Sequence, residues 1–404
     1  LFVFFSTSPP PPSFSSSSSS SSSSVLSPSV FVGTVPNGSL VLRPAEGQRV
    51  LIDGADFGAL VATIQRQKAA LAALTQQLAQ NLCPAIAETI AVPDLSNTAL
   101  TPHYVSGVVA GNGKIYGIPF DAKAVLVVDP ATNTVDTSTM AGFDGSGKWR
   151  GGVLAGNGLV YGIPHSAASV LIINPATNTA DVSTLTVYSG TFKWAGGVLA
   201  GNGKIYGMPD LAPSVLIIDP ATNTTDISTL AGLNPSVGKS YGGVLAGNGK
   251  IYAIPKDGTF GLIIDPATNT VDTTTIVVAA GLDKWHGGVL AGDGKIYAVP
   301  FQATSVLIID PATDTTDTTT ITGLTGPNKW SGAVLAGDGR IYAVPRMSSA
   351  VLAIDPATHT ADLSVPAGDG PEKWNGAVLA RGRVYGLPFF SPSLLLVRRD
   401  CSGL

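Results

Sequence analysis

A segment of about a dozen residues is written seven times along this chain, and its spacing limits the folds open to it. GVVAGNGKIYGIP (107–119) recurs as GVLAGNGLVYGIP from 152, GVLAGNGKIYGMP from 197, GVLAGNGKIYAIP from 243, GVLAGDGKIYAVP from 288, AVLAGDGRIYAVP from 333 and AVLARGRVYGLP from 377. Aligned on Val109, Leu154, Leu199, Leu245, Leu290, Leu335 and Leu379, neighbouring copies lie 44 to 46 residues apart. That period suits one four-stranded propeller blade. Each unit divides at its turn residues into VLAG, a GNG or GDG turn, KIYGIP, a variable loop, VLIID, a PATNT turn and a Thr-rich segment such as VDTSTM (135–140), which we letter strands A to D. Asn-Gly and Asp-Gly supply the positive φ of a tight hairpin, and a Pro that cannot donate to a ladder marks the other turn.

The seventh copy ends at LLLVRRDCSGL with only strands A to C, so an earlier segment must supply its fourth strand or an edge stays open. Pro93-Asp94-Leu95-Ser96 matches the strand D pattern of Thr225-Asp226-Ile227-Ser228 and Ala361-Asp362-Leu363-Ser364 and is expected to close the ring. The fold class expected is all-β: a seven-bladed β-propeller with an N-terminal strand closing blade seven, preceded by a low-complexity leader and one long helix. The VLIIDPATNT segments resemble the repeat core of YVTN-type propellers over residues 86 to 401, with a more distant, kelch-like aspect. Families of this kind bind many different molecules, so the resemblance implies a fold and not a ligand.

Ahead of the repeats, Pro9 to Pro12 and the serine tract Ser15 to Ser24 cannot bury enough surface to offset chain entropy, so 1–37 reads as a disordered leader. Residues 38–56 read as a short β element. Phe57, Leu60, Ile64, Gln67, Leu71, Leu74, Leu78 and Asn81 follow a heptad seam, predicting a coiled-coil helix over 57–82 and the propeller from 83 to 404. Polar Gln67 and Asn81 in that seam favour a parallel homo-oligomer, most simply a trimer, an order of elements that resembles the necks of trimeric fibre proteins. The opening LFVFF run reads as the tail of a signal sequence or as part of an incomplete gene model, and an extracellular or cell-surface setting is slightly favoured over the cytoplasm.

With charged residues at 12% and a net charge of −4, neither nucleic acid nor an anionic membrane is an expected partner, and no apolar run is long enough to span a bilayer. The two cysteines, Cys83 and Cys401, form one candidate disulfide: repeat alignment puts Cys401 in the last C–D turn, beside a closing strand near Ile90.

Candidate binding residues come from comparing blades. A Lys-aromatic pair precedes most A strands: Lys148-Trp149, Lys193-Trp194, Lys284-Trp285, Lys329-Trp330 and Lys373-Trp374. Such a ring would hold an anionic or sugar-like ligand, or else simply pack blade against blade. The A–B and C–D turns are monotonous, whereas the B–C and D–A loops, which share the opposite face, vary. There stand Arg150, His165, Tyr241, His286, Ser331, Arg346 and Asn375. Variation on a fixed scaffold is where recognition usually sits. The histidines do not converge by sequence, so neither a metal nor another cofactor is expected. No nucleophile-elbow, Walker or Cys-His motif appears, and no catalytic residue is assigned. The function expected is non-enzymatic binding or display of a protein or glycan ligand. The alternatives are a lyase or hydrolase at the channel mouth and a purely structural assembly protein.

Overall fold

In the computed structural model the described residues are 83–93, 95, 103–234 and 238–400, with 61–68, 70–71 and the short strands named next from the N-terminal part. The chain divides into two compact units, Leu1–Leu82 and Cys83–Leu404. In the first, Phe31–Thr34 pairs with Leu40–Arg43, and Leu51–Ile52 pairs with both Val3–Phe4 and Ala55–Asp56. Residues 61–68 and 70–71 are helical and exposed, including Ile64 and Leu71 of the heptad seam. The remainder of the 57–82 expectation lies outside the described residues.

The second unit is an all-β propeller of seven four-stranded antiparallel blades. Blade 1 is typical, with strands A Tyr104–Val109, B Ile115–Pro119, C Leu126–Asp129 and D Thr134–Asp136. The A strands of blades 2 to 7 are Trp149–Leu154, Trp194–Leu199, Ser240–Leu245, Trp285–Leu290, Trp330–Leu335 and Trp374–Ala380. Each A strand adjoins the next, and that of blade 7 adjoins that of blade 1, so the A strands line the axis.

Ring closure differs from the sequence expectation in its register. The fourth strand of blade 7 is Ala85–Ala91, paired from Ala85 opposite Arg399 to Ala91 opposite Ser393. Glu88 faces Leu396, the place that Asp226 takes opposite Ile217 in blade 3, so the strand lies upstream of 93–96. An Asp-x-Ser pattern marks a local cap, but seven ladder pairs set the register.

Between blades, strand B packs fully buried against the next blade. Ile163, Ile172, Trp194, Ile205 and Leu216 share one such cluster, and Ile254, Ile263, Trp285, Ile296 and Leu307 another. Each large side chain so buried contributes roughly 1.5–3 kcal/mol. On the face of the A–B and C–D turns, Asn248 Nδ2 donates to the Tyr252 hydroxyl and to the Pro311 carbonyl of the next blade. The C–D turns place Asn133, Asn178, Asn223, Asn269, Asp314 and His359 at φ near +50°, a conformation short polar side chains tolerate. This face is therefore occupied by blade-to-blade stitching.

Candidate functional site

Strand A carries a bulge at its start in every blade. In blade 2 Trp149 pairs with Pro164 and Gly152 with Gly162, so Arg150 and Gly151 stand opposite a single residue of strand B. A bulge bends the strand and re-aims a side chain. Here it turns the residue after the aromatic position toward the mouth, and the next residue, a glycine at positive φ, toward the axis. Gly151 and Gly196 approach so closely that a Cβ on Gly151 would stand 2.5 Å from Gly196 Cα. Gly332 and Gly376 meet in the same way, and in blade 1 Ser106 fills the position, its Oγ accepting the Gly151 amide.

The mouth is built from two registers. The first, one residue per blade, is Val105, Arg150, Ala195, Tyr241, His286, Ser331 and Asn375. The second, directly after each strand B proline, is Phe120, His165, Asp210, Lys256, Phe301, Arg346 and Phe389. Fourteen backbone hydrogen bonds run head to tail through the second register and the Lys positions. They pass from His103 to Phe389, Lys373, Arg346 and so on around all seven blades, returning from Phe120 to His103. This closed circuit holds the second register rigidly.

The five Lys-Trp pairs belong to that frame. Lys148 Nζ donates to the carbonyls of Phe120 and Gly145, Lys193 to Ala167 and Gly190, Lys284 to Gly258 and Gly281, Lys329 to Phe301 and Gly326, and Lys373 to Ser348 and Gly370. The indole N–H groups of Trp149, Trp194, Trp285, Trp330 and Trp374 donate to the carbonyls of Ser169, Ser214, Ser305, Ala350 and Ser393. Burial pulls the ammonium groups of Lys148, Lys193 and Lys329 down to about 8. The structure gives these side chains partners in the frame, whereas the seven residues of the variable face come together.

Those seven form one connected assembly. Arg150 lies over the Tyr241 ring at 4.2 Å, Tyr241 stacks on His286 at 3.9 Å, His286 on Phe301 at 3.7 Å, and Arg346 lies 5.1 Å from Phe301 and 4.3 Å from Phe389. The Tyr241 hydroxyl reaches from blade 4 to Asn375 Oδ1 in blade 7 at 3.2 Å, and Ser331 Oγ donates to the same oxygen at 2.8 Å. Stacked rings and guanidinium planes in such a site contribute about 0.5–2 kcal/mol each.

Charges surround the stack. Asp210 lies 3.3 Å from Lys256 Nζ, 3.8 Å from His165 Nε2 and 3.9 Å from Arg150. Burial pushes the Asp210 carboxyl up, but His165, Lys256 and Arg150 outweigh it and hold the group below its ordinary range. Burial drives His286 down to about 3 despite Asp283 at 3.3 Å, so the imidazole is neutral near pH 7. Burial also lowers His165, whose Nδ1 lies 3.2 Å from the Gly147 carbonyl. Arg346 pairs with Glu372 at 2.9 Å.

Sequence comparison missed Asp210, Asp283 and Glu372. The signal for Asp210 was available, since it follows the strand B proline as His165 and Lys256 do. Asp283 and Glu372 precede the frame lysines and adopt φ of +48° and +47°. Among the described residues no group of three or more His, Cys, Asp or Glu side chains could hold a metal, and no helix is long and apolar enough to cross a membrane.

No family model and no curated protein matches the chain. Solved structures do resemble it. A streptogramin B lyase aligns with a TM-score of 0.61 at 11% identity, over 78% of this chain and 98% of that one. Virginiamycin B lyase from Staphylococcus aureus aligns at 0.63 and 9%, over 78% and 99%. The extracellular domain of a two component system from B. thetaiotaomicron aligns at 0.59 and 11%, over 77% of this chain and 42% of that one. At such identities the likeness is one of fold, and the fold it shares is the seven-bladed propeller.

Proposed function

We propose that this chain is a non-enzymatic recognition module that binds a protein or glycan ligand through the mouth formed by its B–C and D–A loops. The observation that carries the reading is the contrast between faces. Side chains of the A–B and C–D turns, such as Asn248, are spent on blade-to-blade stitching, while the mouth gathers a different first-register residue from each blade, framed by a closed backbone circuit. Differing side chains on a rigid frame are what selective binding requires. Kinship with YVTN-type propellers belongs to the same reading, and so does a parallel trimer joined through 57–82, for which light scattering should give the mass of three chains.

A screen of the full chain against glycan and peptide arrays tests the reading. Binding should survive Asn248→Ala on the stitched face and fail with Arg150→Ala. A ligand lost with the first substitution and kept with the second would refute it.

One arrangement favours an enzyme as the second reading. Asp283, His286 and Ser331 stand in line, with Asp283 Oδ1 3.3 Å from His286 Nε2 and Ser331 Oγ 3.5 Å from Nδ1. Two of the structural neighbours are lyases. Against it, Ser331 is fully buried and its hydroxyl is already donated to Asn375.

A further inference from the structure

Three buried donors at the mouth have no acceptor: Nε of Arg150, Nε of Arg346 and Nδ2 of Asn375. The other buried side-chain atoms without a hydrogen bond among the described residues, Arg340 Nε and the Tyr385 hydroxyl, belong to different parts of the propeller. A buried donor left unpaired is destabilising, more so when it is charged. The three belong to one assembly, because Arg150 lies on Tyr241, the Tyr241 hydroxyl bonds Asn375, and Arg346 flanks the stack at Phe301. What they lack in common is an oxygen acceptor.

Arg150 also lacks a close ion pair. Its nearest carboxylate, Asp210, is 3.9 Å away and lies closer to Lys256, and its one side-chain hydrogen-bond partner is His165 Nε2 at 3.5 Å. The other charges here have ion-pair partners: Asp210, Asp257 and Asp283 each lie within 4 Å of Lys256, and Glu372 pairs with Arg346. Because three carboxylates share one ammonium group, the surroundings would repel a polyanion. A single negative group beside Arg150 would meet less repulsion, and the planar fork of Arg150 suits an oxyanion.

We propose that Arg150 and Asn375, which meet on either side of Tyr241, form an oxyanion subsite, which takes one carboxylate, sulfate or phosphate group of the ligand. It rests on the reading of the mouth as the recognition site and specifies the chemistry recognised there. Asn375 contributes a neutral donor, Arg150 contributes charge and direction, and Tyr241 with Ser331 holds the Asn375 amide in place through its oxygen.

Calorimetric titration of the full chain at constant ionic strength with glucuronate, glucose, sulfate and phosphate tests this. At least one of the three anions should bind and glucose should not, and the order among the anions separates a carboxylate ligand from a tetrahedral one. Arg150→Lys keeps the charge but removes the fork, and should weaken binding at least about tenfold, or about 1.4 kcal/mol. Asn375→Asp replaces the donor by an acceptor and should abolish binding, while Asn375→Gln keeps a donor and should retain part of it. Failure of all three anions at tens of millimolar overturns the subsite, as does binding indifferent to Arg150→Lys and Asn375→Asp in variants that melt like the parent. If the anions fail while an array ligand is still lost with Arg150→Ala, the oxyanion subsite falls and mouth recognition stands.

Discussion

The guanidinium of Arg150 lies 4.2 Å from the ring of Tyr241, two blades away, and the blade between them offers only the methyl group of Ala195 at the same register. Tyr241 in turn bonds Asn375 three blades further on, so contacts between non-neighbouring blades join opposite sides of the mouth. Tyr241→Phe removes that hydroxyl and should cost about 1 kcal/mol in denaturant unfolding. Combined with Ser331→Ala, the loss should be non-additive, because both hydroxyls serve Asn375 Oδ1. Strict additivity would mean the two act separately.

The glycines at the axis are needed for both conformation and space. Gly196 has φ of +90°, and a Cβ there would stand 2.7 Å from Gly242 Cα. Gly196→Ala should therefore destabilise the propeller by roughly 3 kcal/mol. Gly201→Ala in the A–B turn, where nothing lies within 4 Å, should change stability by no more than about 0.5 kcal/mol. Equal effects in thermal unfolding would contradict the tight inner ring.

Acid should unfold the blades from their outer strands. Ser183 holds Asp181 down to about 2, as Thr229, Thr275 and Thr320 do for Asp226, Asp272 and Asp317. These folded values lie below the ordinary 3.8, so the stabilisation is complete above about pH 4 and disappears as the pH falls toward 2. The melting temperature should fall across that interval, with a shallower slope in Asp226→Asn. An unchanged slope would show that the caps do not govern it.

Ring closure is reinforced near its seam, where Arg398 pairs with Glu88 at 2.7 Å and the Asp400 amide donates to Pro84. Cys83 is buried and disulfide-bonded. Cys401, the other cysteine of the sequence, lies outside the described residues and is the partner we propose. A bond between the two closes a loop of more than 300 residues, and Cys401→Ser should lower stability by up to roughly 5 kcal/mol. Alkylation of the unreduced, unfolded protein should label neither cysteine. A labelled Cys401 would break the pairing.

How much was legible in the sequence depended on how local each feature is. Blade number and turn positions are written in Asn-Gly and Pro-Ala-Thr-Asn, whose conformations each segment dictates for itself. The closing strand was placed at Pro93-Asp94-Leu95-Ser96 because a cap pattern is local, whereas its pairing with 393–399 is set across the whole ring. Arg150, Tyr241, His286, Ser331 and Asn375 could be singled out because repeats can be compared column by column. Asp210 stands in such a column but escaped notice, and the Arg150–Tyr241 stack depends on Ala195 being small, which no single repeat reveals.

Hydrogen exchange on the full chain, with and without the ligand that an array identifies, tests most directly whether recognition sits at the mouth. Protection should rise at the D–A and B–C loops around 145–150, 165–168, 256–260 and 281–286, and stay unchanged in the A–B and C–D turns. Protection confined to turns such as 111–114 and 130–134 would place the ligand on the stitched face and contradict the account.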